Sequence, residues 1–257
     1  MSNTSVQCSA FVILLSFFLS GCVTTTTSSS DAVVDKEKAL ETRIQLTLGY
    51  ISQGSRDSAR INLNKARDLN PNDPRVNNAA ALLYQLEGEP EQAESQFKLA
   101  LKKSPEFSSA RNNYGVFLSS HGRNQEAYDQ FEQASSNLEY DRRDVALTNL
   151  GQASLKLGLP EKAKASFEHA VRLNSRSGTP LLELAELEFK DRNYSAAKSY
   201  LDRYARVAKQ NPRALWLGIR LERIFGNKDQ EASLALALKN LYPYSAEYLE
   251  YKRLLDE

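Results

Sequence analysis

The sequence predicts an all-α chain, a superhelical solenoid of about six helix–turn–helix units behind a secretory leader. Small residues recur at Ala59, Ala93, Ala127, Ala163, Ala197 and Ala232, spaced 34, 34, 36, 34 and 35 residues apart. Four residues after each comes a bulky apolar one: Leu63, Phe97, Phe131, Phe167, Leu201 and Leu236. Turn glycines fall between them at Gly54, Gly88, Gly122, Gly158 and Gly226. Self-similarity at this period marks units that cannot bury their apolar faces alone and stack to make a common core.

Composition agrees with that reading. Hydrophobic residues make up 41% of the 257, enough to build a core and to argue against disorder. Lysine plus arginine number 33 against 32 acidic residues, so the net charge of +1 gives no reason to expect a nucleic-acid partner.

The leader comes first. Ala10 to Leu19 is a ten-residue apolar run. As a helix it would rise about 15 Å, half of a hydrocarbon core, which suits a signal peptide and not a membrane span. Leu19-Ser20-Gly21-Cys22 follows and resembles a lipobox. That resemblance implies a signal peptide over 1–21 and a covalent lipid on Cys22. It also implies an outer-membrane address, because Val23 stands where an aspartate would signal retention in the inner membrane. Met1 to Ser9 carry no lysine or arginine, a departure from ordinary signals. Cys8 leaves with the leader. The polar run Val23 to Ser30, VTTTTSSS, opens a lipid-anchored flexible tether assigned to 22–39.

The repeats come next. A second small-residue set, Thr47, Ala81, Gly115, Gly151 and Ala185, precedes the alanines by twelve residues, and Gly218 continues it 33 residues after Ala185, a one-residue slip from the 34-residue period. Small residues facing each other across a hairpin let two helices approach closely. The bulky residue one turn on fills the space between units. Glycine supplies the left-handed conformation that ends the first helix. The pattern resembles the tetratricopeptide repeat over residues 40 to 243, which implies a right-handed solenoid. The divisions are 40–73, 74–107, 108–143, 144–177, 178–210 and 211–243, with a capping helix over 244–257 whose Tyr248, Tyr251, Leu254 and Leu255 cover the last repeat.

The tetratricopeptide resemblance also implies that the first helix of each repeat lines a concave groove. Carried onto this chain, its partner-binding residues are Ile44, Leu48, Ile51, Arg75, Asn78, Leu82, Gln85, Leu86, Asn112 and Val116. Apolar residues are densest at the N-terminal end, where they form a docking groove, or else belong to the core or lie under residues 31–39. Asn78 and Asn112 share one repeat position and either bond a peptide backbone or face solvent. Chemistry finds little material. His121 and His169 are the only histidines, the body lacks cysteine, and there is no P-loop or GxGxxG. The chain reads as a protein-binding module without catalytic residues, metal or cofactor, apart from the lipid.

Three further motifs narrow the family: Asn112-Asn113-Tyr114-Gly115-Val116-Phe117-Leu118, Leu217-Gly218-Ile219-Arg220-Leu221, and Leu241-Tyr242-Pro243 with Ser245 and Glu247-Tyr248. With the lipobox and six repeats, the mature chain resembles the type IV pilus biogenesis/stability proteins, the PilF/PilW family. That resemblance implies a monomeric pilotin on the periplasmic face of the outer membrane. It would bind the pilus secretin PilQ and promote its localisation and multimerisation. The alternative is a lipoprotein scaffold for peptidoglycan-remodelling enzymes or outer-membrane β-barrel assembly.

Overall fold

The computed structural model describes residues 29–256, and within them every regular element is an α-helix. They are α1 (Ser29–Ser52), α2 (Arg56–Leu69), α3 (Pro74–Glu87), α4 (Pro90–Lys103), α5 (Ser108–Ser120), α6 (Asn124–Ser136), α7 (Arg143–Lys156), α8 (Pro160–Leu173), α9 (Gly178–Lys190), α10 (Tyr194–Val207), α11 (Pro212–Phe225), α12 (Lys228–Leu241) and α13 (Ala246–Asp256). Consecutive helices pair as hairpins, α1 with α2 through α11 with α12. The second helix of each of the first five hairpins packs on the first helix of the next, and α13 packs on α11.

Local chemistry sets the boundaries. Pro74, Pro90, Pro160 and Pro212 open their helices at positions where no backbone donor is needed. Asp73 caps α3 by accepting from the Arg75 backbone N–H at 2.8 Å, and Asn211 caps α11 through Ala214 at 2.9 Å. Within five of the hairpins the chain turns on a glycine with positive φ, from Gly54 at 73° to Gly226 at 76°. The fifth hairpin has no glycine there. Arg192 takes the left-handed conformation instead, at φ 62°.

Close packing inside each hairpin rests on the small–bulky pairs. A Cβ built on Gly115 would lie 2.6 Å from Phe131 Cε1, and one on Gly151 would lie closer still to Phe167. Phe97 and Phe167 are completely buried, and Ala59, Ala93, Ala127, Ala163 and Ala197 have no exposed surface. Ion pairs stitch hairpin to hairpin in the same register. Lys164 meets the buried Glu188 at 2.7 Å, and 34 residues on Lys198 meets the buried Glu222 at 2.6 Å. Asn193 and Asn227 donate to the same two carboxylates. Burial pushes Glu188 and Glu222 up, but these hydrogen bonds outweigh it and hold both below the ordinary glutamate value.

Two expectations are corrected here. The sixth repeat does not use Ala232 and Leu236: Ala232 is exposed and Leu236 is 57% exposed. A Cβ on Gly218 would meet Leu234 at 3.0 Å, sixteen residues on, the same offset that joins Gly115 to Phe131. The true register is therefore Gln230, Leu234 and Ala237. Alternating leucine and alanine along α12 offers two registers two residues apart, and spacing alone chose the wrong one. Residues 29–39, assigned to the tether, are the opening turns of α1. Ala32, Lys36, Glu37, Lys38 and Ala39 are good helix formers and carry the helix upstream from Leu40, which is buried. Cys22 and the Val23–Thr27 run lie outside the described residues.

At the other end, Tyr248 and Tyr251 of α13 pack against the cluster of Leu215, Ile219, Ala235 and Leu238. Leu254 and Leu255 of the same helix stay exposed.

Candidate docking surfaces

The residues assigned to the N-terminal groove divide sharply in the structure. Ile44 is 4% exposed and sits in the core with Leu40, Ala59, Leu63 and Val76. Leu48, Ile51 and Leu86 are half-buried against that same cluster, and Leu82 against the next. Ile44 is thus corrected from groove to core: α1 runs alongside both α2 and α3, so its most apolar stripe is consumed inside the molecule. Charges placed at Leu48 or Leu82 would test folding as much as binding.

The two asparagines are also occupied. Asn113 donates its side-chain amide to Asn78 Oδ1 at 3.1 Å, and Asn149 donates to Asn112 Oδ1 at 2.9 Å. Asn78 and Asn112 are each 5% exposed. They are rungs between neighbouring first helices, where a buried amide is satisfied by the next repeat. Gln85 is exposed and makes no side-chain hydrogen bond among the described residues.

Arg75 is the centre of a charge cluster. Its guanidinium reaches Glu37 at 2.6 Å, Glu41 at 3.0 Å and Asp73 at 2.6 Å, tying α1 to the start of α3. The hydrogen bond to Asp73, followed by that to Glu37, raises the arginine above its ordinary value despite partial burial. Burial pushes the Asp73 carboxyl up, yet the bonds from Arg75 hold it below the carboxylate norm.

Two of the open surface cavities are bordered by assigned residues. The larger, about 990 Å³, lies along α1 and is lined by Glu37, Lys38, Glu41, Thr42, Gln45, Leu46, Gly49, Tyr50, Gln53 and Arg75 among the described residues. Leu46 is 39% exposed at its centre. The smaller, about 520 Å³, is lined mainly by α5 and α7 of the middle repeats. Val116, 43% exposed, Asn149, Gln152, Leu155 and Lys156 line it. Lys156 Nζ donates to Ser119 Oγ across its floor at 2.7 Å. Of the assigned residues, Arg75 and Val116 therefore border open cavities.

Sequence reasoning missed Thr42, Gln45, Leu46, Gly49 and Gln53, which line this cavity along α1, and Tyr50, which borders it while also packing against the core cluster of Leu40 and Ile44. The apolar pair Leu46 and Tyr50, one turn apart, was the available signal.

Both histidines serve packing or solvation. His121 Nδ1 lies 2.8 Å from the Phe117 carbonyl, and its ring lies tilted against Phe117 with centroids 4.3 Å apart. His169 is half-buried, and burial with Arg143 and Arg172 nearby lowers its pKa. No helix among the described residues is long and apolar enough to cross a membrane.

Comparison with known proteins agrees with this geometry. Models of the tetratricopeptide repeat match residues 78–138 and 145–177. Over 245 residues the chain is 38% identical to the type IV pilus assembly protein PilF of Pseudomonas aeruginosa, covering 95% of this chain and 97% of that one. The solved structure of Pseudomonas aeruginosa PilF superposes with a TM-score of 0.81, covering 85% of this chain and 99% of that one. PilW, described as a widely conserved type IV pilus biogenesis factor, shares the fold at a TM-score of 0.69 and 24% identity, over 82% of this chain and 97% of its own. The likeness runs through the whole stack of repeats and not through one hairpin alone, and this chain belongs to the PilF/PilW family of tetratricopeptide-repeat proteins.

Proposed function

We propose that the chain is a type IV pilus biogenesis factor, a lipoprotein acylated on Cys22 that works as a pilotin at the periplasmic face of the outer membrane. It binds the pilus secretin PilQ and promotes assembly of that secretin there. The supporting observation is the 38% identity to PilF across 95% of the chain. The α1 cavity is the docking site in this reading. It belongs to α1, which begins at Ser29, seven residues after Cys22 and so within about 23 Å of it along the chain at full extension.

The mechanism is tethering. Acyl chains contribute about 0.8 kcal/mol per buried methylene, and two or more chains hold the protein stably on a bilayer. A docked secretin segment then stays close to the membrane, which raises the effective concentration of subunits where the pore assembles. The role requires binding and no bond-making step.

The test is Cys22→Ala in cells. The variant is expected to fold normally and leave the outer-membrane fraction, with a loss of SDS-resistant secretin multimers and of twitching. Normal multimers in the outer membrane beside a soluble variant would refute the pilotin role. General envelope or division defects without pilus loss would favour the scaffold alternative.

A further inference from the structure

We infer that the α1 cavity receives an amphipathic helix from the partner, stacked where the second helix of a preceding repeat would lie. The proposal deepens the docking reading and rests on it for the partner's identity, though not for the occupant's shape.

Leu46 aligns with Ala80, Tyr114, Leu150, Leu184 and Leu217 in the following five hairpins, and all five are buried. In α3 this face lies against α1 and α2 of the preceding hairpin, and Val76, Ala80 and Leu83 are buried there with Ala59, Leu63 and Ala66 of α2. Among the described residues α1 has no such neighbour, so the interface that recurs through the solenoid is left half-made. Its chemistry is already shaped for a helix, because helices occupy it at every other position.

The details say what kind of helix fits. Gly49 stands where Leu83 and Phe117 stand in the next two repeats, and a Cβ built on it would meet nothing within 4 Å. That notch calls for a bulky apolar side chain from the occupant. Leu46 and Tyr50 flank it one turn apart, which suits a stripe at helical spacing. The charged side chains that line the cavity are Glu37 and Glu41 against Lys38 and Arg75, two of each sign, so the lining has little net charge with which to select a strongly charged partner. A second copy of this chain is a poorer match. Its far end offers α13, which packs on α11 as a first helix does, whereas the missing neighbour includes a second helix.

Two measurements test the inference. In the first, the full chain in detergent carries a photo-crosslinker at Gln45, Tyr50 or Gln53 and is mixed with solubilised pilus secretin. The crosslinked secretin residues are expected three or four apart; a spacing of two, as in a strand, would overturn the proposal. In the second, a lactam-bridged helical peptide with the sequence of α2 is titrated into the full chain, independently of any secretin. Saturable binding, weakened about tenfold or more by Gly49→Phe, is expected. Gly49→Phe should keep its melting temperature at or above the wild type, since it removes a helical glycine into open space. No peptide binding to wild type, or equal binding to both proteins, would overturn the helix site. Peptide binding without secretin crosslinks would instead sink the secretin reading and leave the helix site standing.

Discussion

Arg192 holds a left-handed backbone that glycine holds in the other five hairpins. For a residue with a side chain that conformation costs about 1–2 kcal/mol, offset in part by the greater freedom glycine has when unfolded. Arg192→Gly should therefore raise stability by about 0.5–1 kcal/mol, read as a higher urea midpoint at unchanged slope. Glu94 makes the second residue-scale case. It accepts from Tyr114 and pairs with Lys98 and Arg123, each at 2.8 Å. Burial alone would raise its pKa, but these partners bring it from the ordinary 4.5 down to about 2. A depressed carboxylate contributes stability that is fully present above pH 4.5 and is lost as pH falls toward 2. The contribution is on the order of 2–3 kcal/mol. Glu94→Gln should accordingly lower stability at neutral pH, with the two curves converging near pH 2. Parallel curves across that window would show that the pair contributes no pH-linked stability.

At the level of elements, the hairpin depends on a side chain that must be absent. Gly115 lets α5 approach Phe131 of α6 more closely than any Cβ would allow. Gly115→Ala would gain helix propensity of just under about 1 kcal/mol, but overpacking against a buried ring costs about 1–3 kcal/mol. Net destabilisation is expected, with a lower melting temperature in calorimetry. The same change at Gly49 meets open space and should stabilise α1, so one residue type gives opposite signs in two helices. This contrast was partly legible in the sequence. The recurrence of Gly115 and Gly151 twelve residues before an alanine marked the close approach. The sequence did not show that Gly49 faces open space, because that depends on what packs beside α1 and not on its own hairpin.

For the whole molecule, stacking decides what each residue does. The period of small and bulky residues is a nearest-neighbour property repeated along the chain, so the all-α solenoid and its hairpins were readable from spacing. Three features were not. Ile44 falls in the core because α1 has two helices beside it. Asn78 and Asn112 bond the next repeat before they can bond a ligand. The sixth register slipped because α12 alternates leucine and alanine. The proposed docking face was hidden for a related reason. Leu46 follows the same pattern as its buried counterparts, and only its place in the first repeat leaves it open.

The most direct test of the account is quantitative co-purification of detergent-solubilised pilus secretin with the full chain, comparing wild type with Leu46→Glu. The exposed position of Leu46 should leave the fold and melting temperature of the variant intact. Retention of secretin should fall about tenfold or more, and a control Leu236→Glu on the exposed face of α12 should retain it fully. Undiminished capture by a folded Leu46→Glu protein would contradict the assignment of α1 as the docking face.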